Sequence, residues 1–198
     1  VRVVYLYFAK IFPKTTWGTV RDKSNGKFFH LSVESFGEVI LEIKKQINHI
    51  DYIINCIGIL KTEKDQKKLI QINQEFPQGL AQFAEKENAR LIHISTDAVF
   101  SDLSGLVDET SIPLPTDIYG KSKLLGEPKS LSAISIRTSI VGFDPKEHKG
   151  LLEWVMQTSD GSLSGYTSQL WSGCTTLQFA ELCQKIIETN SFHELRKK

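Results

Sequence analysis

The sequence lacks the features that mark secreted and membrane proteins. Its 198 residues include only three cysteines, Cys56, Cys174 and Cys183, which are too few and too irregularly spaced for a disulfide framework. No apolar run reaches the roughly 18 to 20 residues of a membrane span, and no basic, apolar and small-residue progression resembles a signal peptide. We therefore expect a cytoplasmic protein with buried thiols and no membrane partner.

An excess of charge of either sign is also missing. The 24 Lys and Arg residues nearly balance the 23 Asp and Glu residues, so the net charge of +1 gives no electrostatic reason to expect a nucleic-acid partner. The five histidines show neither an HxxxH nor an HExxH pattern, so no metal site is predicted. A hydrophobic content of 40% fits one compact domain with a real core.

Short apolar runs alternate along the chain with stretches of helical spacing. The apolar runs, rich in β-forming residues, cover 51–57, 90–94 and 134–141, with a weaker candidate at 17–20. Helical spacing covers 38–47 and 80–84, and a capping box at 175–178 opens a further helix. Because parallel strands need a crossover connection, this alternation predicts an α/β fold with a doubly wound parallel sheet. The periodicity of residues 1–16 fits a strand or a helix equally well.

A tyrosine and a lysine four residues apart follow the predicted strand that ends at Ser95 and Thr96. On a helix, that spacing brings Tyr119 and Lys123 to one face. A nearby ammonium group stabilises a phenolate and lowers its pKa, which would make Tyr119 a proton donor. A hydroxyl from Thr96 or Ser95 could bind a substrate carbonyl beside it and polarise a ketone for hydride attack. Standing alone, a Tyr and Lys pair is more often an ordinary solvated helix face.

A series of ordered segments makes the context of that pair more specific. They are INCIGIL at 54–60, IN at 72–73, LIHISTDAVFSD at 91–102, DET and P within 108–113, IYGKSKLLGE at 118–127, IRTS at 136–139, GLLEW at 150–154 and SGCTTLQFAEL at 172–182. Over roughly residues 17 to 190 the chain resembles the extended short-chain dehydrogenase/reductase family, in its dTDP-4-dehydrorhamnose reductase-like branch of sugar-nucleotide reductases. The resemblance implies one Rossmann-type NAD(P)-binding domain over 1–198, a small substrate lobe at about 143–175, and a helix over 1–12.

The resemblance also assigns roles to the residues of the predicted catalytic site. Tyr119 is implied as the general acid, and Lys123 as the group that tunes it and holds the nicotinamide ribose. Thr96 is implied to bind the substrate carbonyl. Asn73 lies where the family orients the lysine through water.

Further residues are implied to contact the cofactor. They are Asn55, Cys56, Ile57 and Gly58 in the turn after a strand, together with Ser95. Arg21 resembles the position that meets a 2′-phosphate, because a guanidinium pairs with phosphate where an acidic residue would hold a ribose hydroxyl. The expected cofactor is therefore NADPH or NADH, with NADPH slightly preferred.

The sequence departs from the family pattern at both ends and beside the substrate. No glycine-rich GxxGxxG turn occurs in the first forty residues, although such a turn normally cradles the pyrophosphate. The last residues, FHELRKK, stop before the family's final elements, so we expect a fragment or an incompletely traced chain. Ala98 and Ile140 replace aromatic residues that border the substrate in many members, which leaves the sugar open.

The resemblance implies an NAD(P)H-dependent reductase of a keto group on a nucleotide-activated deoxysugar. The expected partner is a nucleotide-sugar substrate, and a homodimer through the helices that carry Tyr119 and residues 75–88 would fit the superfamily. Two alternatives stay open. The chain could be a non-catalytic relative that acts as a regulatory or scaffold subunit, or a sugar-nucleotide epimerase or dehydratase.

Overall fold

The computed structural model describes residues 2–20, 28–33, 36–100, 106–143, 150–158, 161–167 and 171–196. The α-helices are α1 (Arg2–Ile11), α2 (Phe36–Gln46), α3 (Gln66–Ile70), α4 (Phe76–Lys86), α5 (Ile118–Gly126), α6 (Leu151–Gln157), α7 (Thr176–Glu188) and α8 (Phe192–Leu195). The strands are β1 (Gly18–Val20), β2 (Phe28–His30), β3 (Tyr52–Asn55), β4 (Arg90–Ile94), β5 (Ala133–Ile136), β6 (Ile140–Val141) and β7 (Cys174–Thr175). A π-helical turn, Gln71–Glu75, joins α3 to α4, and a 3-10 helix covers Asp97–Phe100.

The strand pairings that the structure describes are all parallel, as the alternation of strands and helices predicts. Strands β3, β4 and β5 form a three-stranded sheet, while β1 pairs with β2 and β6 pairs with β7. The prediction of one strand over 134–141 is wrong, because the chain leaves the sheet after Ile136. The Ile136 carbonyl accepts a hydrogen bond from Ser95 N, and the chain pairs again only at Ile140, with Cys174.

Helices cover both faces of the three-stranded sheet. On β4 the adjacent residues Leu91 and Ile92 are both fully buried, and they belong to different hydrophobic clusters because successive strand side chains point to opposite faces. Leu91 packs with the helices α2 and α4, and Ile92 packs with α1, α7 and α8. The two-sided core confirms the doubly wound arrangement.

The helices α3, α5 and α7 begin at residues whose side chains cap the first turn. The capping box predicted at 175–178 is present, with the Thr175 hydroxyl accepting from Gln178 N and the Gln178 side chain accepting from Thr175 N. Asp117 caps α5 by accepting from Gly120 N at 2.6 Å. Residues 2–11 form a helix that buries Val4 and Phe8, so the helical interpretation of the ambiguous N-terminal segment is correct.

A glycine allows α5 to lie against the π-helical turn. A Cβ atom at Gly126 would overlap the backbone carbonyl oxygen of Asn73, whereas a Cβ atom at Gly79 of α4 would make only ordinary contact with Phe36. We expect Gly126→Ala to destabilise the protein by about 1–3 kcal/mol through overpacking, and Gly79→Ala to stabilise it by roughly 0.5–1 kcal/mol. Urea unfolding of both variants measures this, and equal stability of the two would contradict the close contact.

Candidate active site

A cavity of about 340 Å³ opens at the carboxyl ends of β3, β4 and β5. Its lining comes from the segments that follow these strands and from one face of α5: residues 56–60, 94–96 and 138–140, with Tyr119 and Lys123. The cavity therefore brings together the predicted residues Cys56, Ile57, Gly58, Ser95, Thr96, Tyr119 and Lys123. Arg21, the residue predicted to meet a 2′-phosphate, lies outside the described residues.

Lys123 is a buried cation at the floor of this cavity. Only 4% of the residue is exposed, and its Nζ donates a hydrogen bond of 2.7 Å to the carbonyl oxygen of Ile94, at the end of β4. Burial lowers the pKa of Lys123 to about 8, an effect that the charges of Glu127 and Cys56 partly oppose. The helix α5 places Lys123 one turn after Tyr119, as the four-residue spacing predicts.

The pKa of Tyr119 differs from the sequence-based expectation. Burial raises the pKa of this phenol above its usual value, the nearby hydroxyl of Thr96 lowers it, and the charges of Asp97 and Asp117 raise it further. The expected lowering by Lys123 is therefore not seen. The phenol is protonated at neutral pH, which suits a proton donor.

The two hydroxyls at the end of β4 have different partners. Ser95 Oγ donates a hydrogen bond of 2.6 Å to Glu127 Oε1, so its one hydroxyl proton is already in use. Thr96 is 6% exposed, and its Oγ1 accepts from Ala98 N at 3.2 Å and donates to Asp97 Oδ1 at 3.3 Å. Of the two candidates from the sequence, Thr96 is the one that acts on the pKa of Tyr119, which lines the same cavity.

Asn73 lies in the π-helical turn and is fully buried. Its Oδ1 accepts from Ile59 N at 2.9 Å, and its Nδ2 donates to Ile59 O at 3.0 Å and to Ser122 Oγ at 3.3 Å. The amide thus ties the loop after β3 to the residue beside Lys123. The sequence-based role, orienting the lysine through water, stays a prediction.

A buried amide and imidazole pair supports the turn that follows β3. Asn55 Nδ2 lies 2.9 Å from His93 Nδ1, and Asn55 Oδ1 accepts from Ile57 N at 3.0 Å. Because the Asn55 side chain is spent on these two contacts, it shapes the turn that carries Cys56, Ile57 and Gly58. The sequence does not reveal that His93 contacts Asn55, because the two residues meet only when β3 and β4 pair.

The buried imidazole predicts a pH-dependent stability. Burial lowers the pKa of His93 from 6.5 to about 3, with Lys123 adding to the effect. As pH falls, this imidazole therefore takes up a proton in the unfolded chain before it does so in the folded chain. The stability that the neutral His93 contributes is complete above pH 6.5 and is lost as pH falls toward 3. Between pH 6.5 and 5 the loss is at most about 2 kcal/mol.

Unfolding free energies of His93→Gln and of wild type at pH 7.5 and 5.0 measure this contribution. The variant is expected to lose less stability on acidification than wild type. The matched change at the exposed strand residue His30, His30→Gln, is expected to keep the wild-type pH dependence. Identical slopes for wild type and His93→Gln would show that the imidazole titrates normally.

The residues that the structure describes carry no metal-ligand cluster and no membrane-spanning helix. Over that part of the chain, no three His, Cys, Asp or Glu side chains converge in a group that could hold a metal ion. Within the same residues, no helix is long and apolar enough to cross a bilayer.

The parallel sheet with helices on both faces, and the cavity at its carboxyl ends, define a Rossmann-type α/β protein. A family model described as "RmlD substrate binding domain" matches residues 38–190. The chain belongs to this family.

Curated relatives match parts of the chain. A dTDP-4-dehydrorhamnose reductase from Mycobacterium tuberculosis is 37% identical over 98 residues, which are 44% of this chain and 31% of that protein. The methionine adenosyltransferase 2 subunit beta from Bos taurus is 31% identical over 135 residues, or 64% of this chain and 38% of that protein. The matches therefore span about a third of the length of these relatives.

Solved structures confirm the fold. A hypothetical dTDP-4-dehydrorhamnose reductase from Sulfolobus tokodaii has a TM-score of 0.77 and 24% identity, covering 94% of this chain and 69% of that one. A dTDP-4-dehydrorhamnose reductase from Bacillus anthracis in complex with NADP has a TM-score of 0.69 and 23% identity, covering 82% of this chain and 60% of that one.

Proposed function

We propose that the protein is an NAD(P)H-dependent reductase of a keto group on a nucleotide-activated deoxysugar. The observation that carries the proposal is the gathering of Thr96, Tyr119 and Lys123 in one cavity at the ends of the strands. The relatives named dTDP-4-dehydrorhamnose reductase support the substrate class. The proposal concerns the activity of the whole protein, whereas the segments that match these relatives cover only part of this chain.

The cavity fits the nicotinamide end of such a cofactor. Gly58 is exposed at its wall, and a Cβ atom there would lie 3.4 Å from Asn73 Oδ1 and 3.6 Å from Lys123 Nζ, so a side chain would narrow the approach to both. Lys123 directs one of its three N–H groups to Ile94 and lines the cavity, where it can bind ribose hydroxyls. When bound, the cofactor supplies the hydride.

The chain's own residues supply binding and proton transfer. Thr96 binds the substrate carbonyl oxygen, and Tyr119, protonated at neutral pH, donates its phenolic proton to that oxygen as negative charge develops there. The buried ammonium of Lys123 stabilises the phenolate that remains. The apolar side chains of Ile57, Ile94 and Ile140 in the lining lower the local dielectric constant and so strengthen these electrostatic contacts.

The activity is tested by following oxidation of NADPH with dTDP-4-dehydrorhamnose, and with a panel of other nucleotide-linked keto-deoxysugars. The proposal expects one NADPH consumed for each sugar reduced, with a product that has gained two hydrogens by mass spectrometry. Binding of NADPH with no oxidation by any keto sugar would overturn it.

The cofactor preference is proposed separately, from Arg21 alone. A guanidinium at that position would pair with the 2′-phosphate of NADPH. Calorimetric titration with NADPH and NADH, on wild type and Arg21→Ala, tests this. Tighter binding of NADPH that disappears in the variant is the expected result, and equal affinity for both cofactors in wild type would contradict it.

A second candidate function is a regulatory subunit without catalysis. The relatives named methionine adenosyltransferase 2 subunit beta favour it, because they match this chain about as well as the reductases do. The intact Thr96, Tyr119 and Lys123 argue against it, and turnover in the assay above would exclude it. Isomerised or dehydrated sugar without net NADPH consumption would instead indicate the epimerase or dehydratase alternative.

We also propose that residues of about 143–175 contribute to a small substrate lobe, and that the protein forms a homodimer. Within the range 143–175, Trp154, Met156 and Tyr166 are more than half exposed, which suits a surface that closes over a sugar nucleotide. Loss of substrate affinity in Trp154→Ala with unchanged cofactor binding would support the lobe. Light scattering of the purified protein tests the dimer directly.

A further inference from the structure

A carboxylate directly after α5 connects this helix to the residues that follow β4 and β5. Glu127 follows the last residue of α5, and its Oε1 accepts from Ser95 Oγ at 2.6 Å, at the end of β4. Arg137, directly after β5, donates to the same carboxylate through Nε at 2.9 Å and through Nη2 at 2.8 Å. The two side chains are only 13% and 25% exposed, so this two-point ion pair is shielded from solvent.

Arg137 also contacts the 3-10 helix that directly follows Thr96. Its guanidinium carbon lies 5.1 Å from the ring centroid of Phe100, which ends the 3-10 helix that begins at Asp97. The ion pair therefore contacts the chain both before and after Thr96. Ser95 is bound through Glu127 on one side, and Phe100 packs under Arg137 on the other.

We propose that Glu127 and Arg137 are positioning residues that hold the Thr96 hydroxyl against the Tyr119 phenol. The proposal rests on the proposed function, in which these two groups bind and protonate the substrate oxygen. Neither Glu127 nor Arg137 lines the cavity, so both act through Thr96 and its neighbours.

The ion pair also keeps the carboxylate away from the lysine. Lys123 and Glu127 are four residues apart, a spacing at which opposite charges on a helix commonly pair. Here the Glu127 oxygens are occupied by Ser95 and Arg137, and Lys123 Nζ points instead to the Ile94 carbonyl beside the cavity. The carboxylate thus influences the lysine through its charge alone, which raises the pKa of Lys123.

Two substitutions separate charge from geometry. Glu127→Gln keeps the shape of the side chain and removes its charge, while Arg137→Lys keeps the positive charge and removes the two-point contact. The matched control is Glu85→Gln on α4, where an exposed carboxylate accepts a serine hydroxyl, Ser130 Oγ, at 3.4 Å. We expect Glu127→Gln and Arg137→Lys each to lower kcat roughly 10- to 100-fold with little change in KM, and Glu85→Gln to leave it unchanged.

A second readout does not depend on turnover. The ring resonances of ¹³C-labelled tyrosine, with Tyr119 assigned by its loss in Tyr119→Phe, report the pKa of the phenol, which faces Thr96, Asp97 and Asp117. Because the Thr96 hydroxyl lowers this pKa, its displacement from the phenol in Glu127→Gln and Arg137→Lys should shift the titration of Tyr119 to higher pH. Thermal unfolding of each variant measures any general loss of structure.

The two readouts distinguish failure of this inference from failure of the proposed function. If wild type reduces no keto sugar but the Tyr119 titration moves in both variants and not in Glu85→Gln, the positioning holds and the proposed function is wrong. If wild type is active while both variants match Glu85→Gln in kcat and titration, the positioning is wrong. Losses that only parallel thermal destabilisation, with the Tyr119 titration unmoved in the folded protein, would also overturn it.

Discussion

Tyr119→Phe is expected to lower kcat by about 100- to 10,000-fold while leaving the affinity for NADPH nearly unchanged. The substitution removes one hydroxyl and leaves the ring, so the packing of α5 against the strand ends is retained. What is lost is the proposed proton donor, the hydroxyl that lies with Thr96 in the cavity. Stopped-flow or steady-state assays with the accepted keto sugar measure kcat, and calorimetry measures the affinity for NADPH.

The control for this prediction is a tyrosine whose hydroxyl is also hydrogen-bonded but lies far from the cavity. The Tyr7 hydroxyl on α1 donates to Gln184 on α7, so Tyr7→Phe loses a comparable contact without touching the site. We expect its kcat to equal that of wild type. An unaltered kcat in Tyr119→Phe on any accepted substrate would remove the general acid from the mechanism.

Lys123→Met is expected to weaken NADPH binding and to lower kcat/KM by at least about 100-fold. Methionine fills a similar volume but supplies no ammonium, so it removes both the proposed contact with the ribose and the proposed stabilisation of the phenolate. The protein should stay folded, because removing a buried cation also removes the cost of burying it. Lys121→Met, at an exposed position of the same helix, is the matched control and should behave as wild type.

The same residue sets a pH dependence. Since burial lowers the pKa of Lys123 to about 8, the free protein loses this cation as pH rises through that value. We expect kcat/KM to fall above pH 8. A flat profile up to pH 10, or wild-type cofactor affinity in Lys123→Met, would show that the charge of Lys123 is not used.

Local patterns predicted the elements that form the site. The run Arg90–Ile94 contains Leu91, Ile92 and Ile94 within five residues, and it is a strand with those bounds, buried at its three central residues. The four-residue spacing of Tyr119 and Lys123 needed only a helix, which Asp117 begins by capping its first turn. These features depend on neighbours within a few residues, which a sequence displays directly.

Features that depend on tertiary contacts were missed or mistaken. The Glu127 and Arg137 pair joins residues ten apart that share no periodicity, and the π-helical turn at Asn73 lies against Gly126, more than fifty residues further along the chain. The spacing of Tyr119 and Lys123 also gave the wrong sign for the tyrosine pKa. Spacing shows that the two side chains share a helix face. It does not show that burial raises the pKa of Tyr119, or that Lys123 Nζ donates to the Ile94 carbonyl.

The central claim is that this cavity carries out hydride transfer to a sugar carbonyl. The most direct measurement supplies NADPH carrying deuterium at the transferable position, with dTDP-4-dehydrorhamnose as substrate, and locates the label in the product by NMR. The account predicts one deuterium on the former carbonyl carbon, delivered to a single face, and its disappearance in Tyr119→Phe under the same conditions. Reduced sugar without deuterium, or no reduced sugar with cofactor bound, would contradict it.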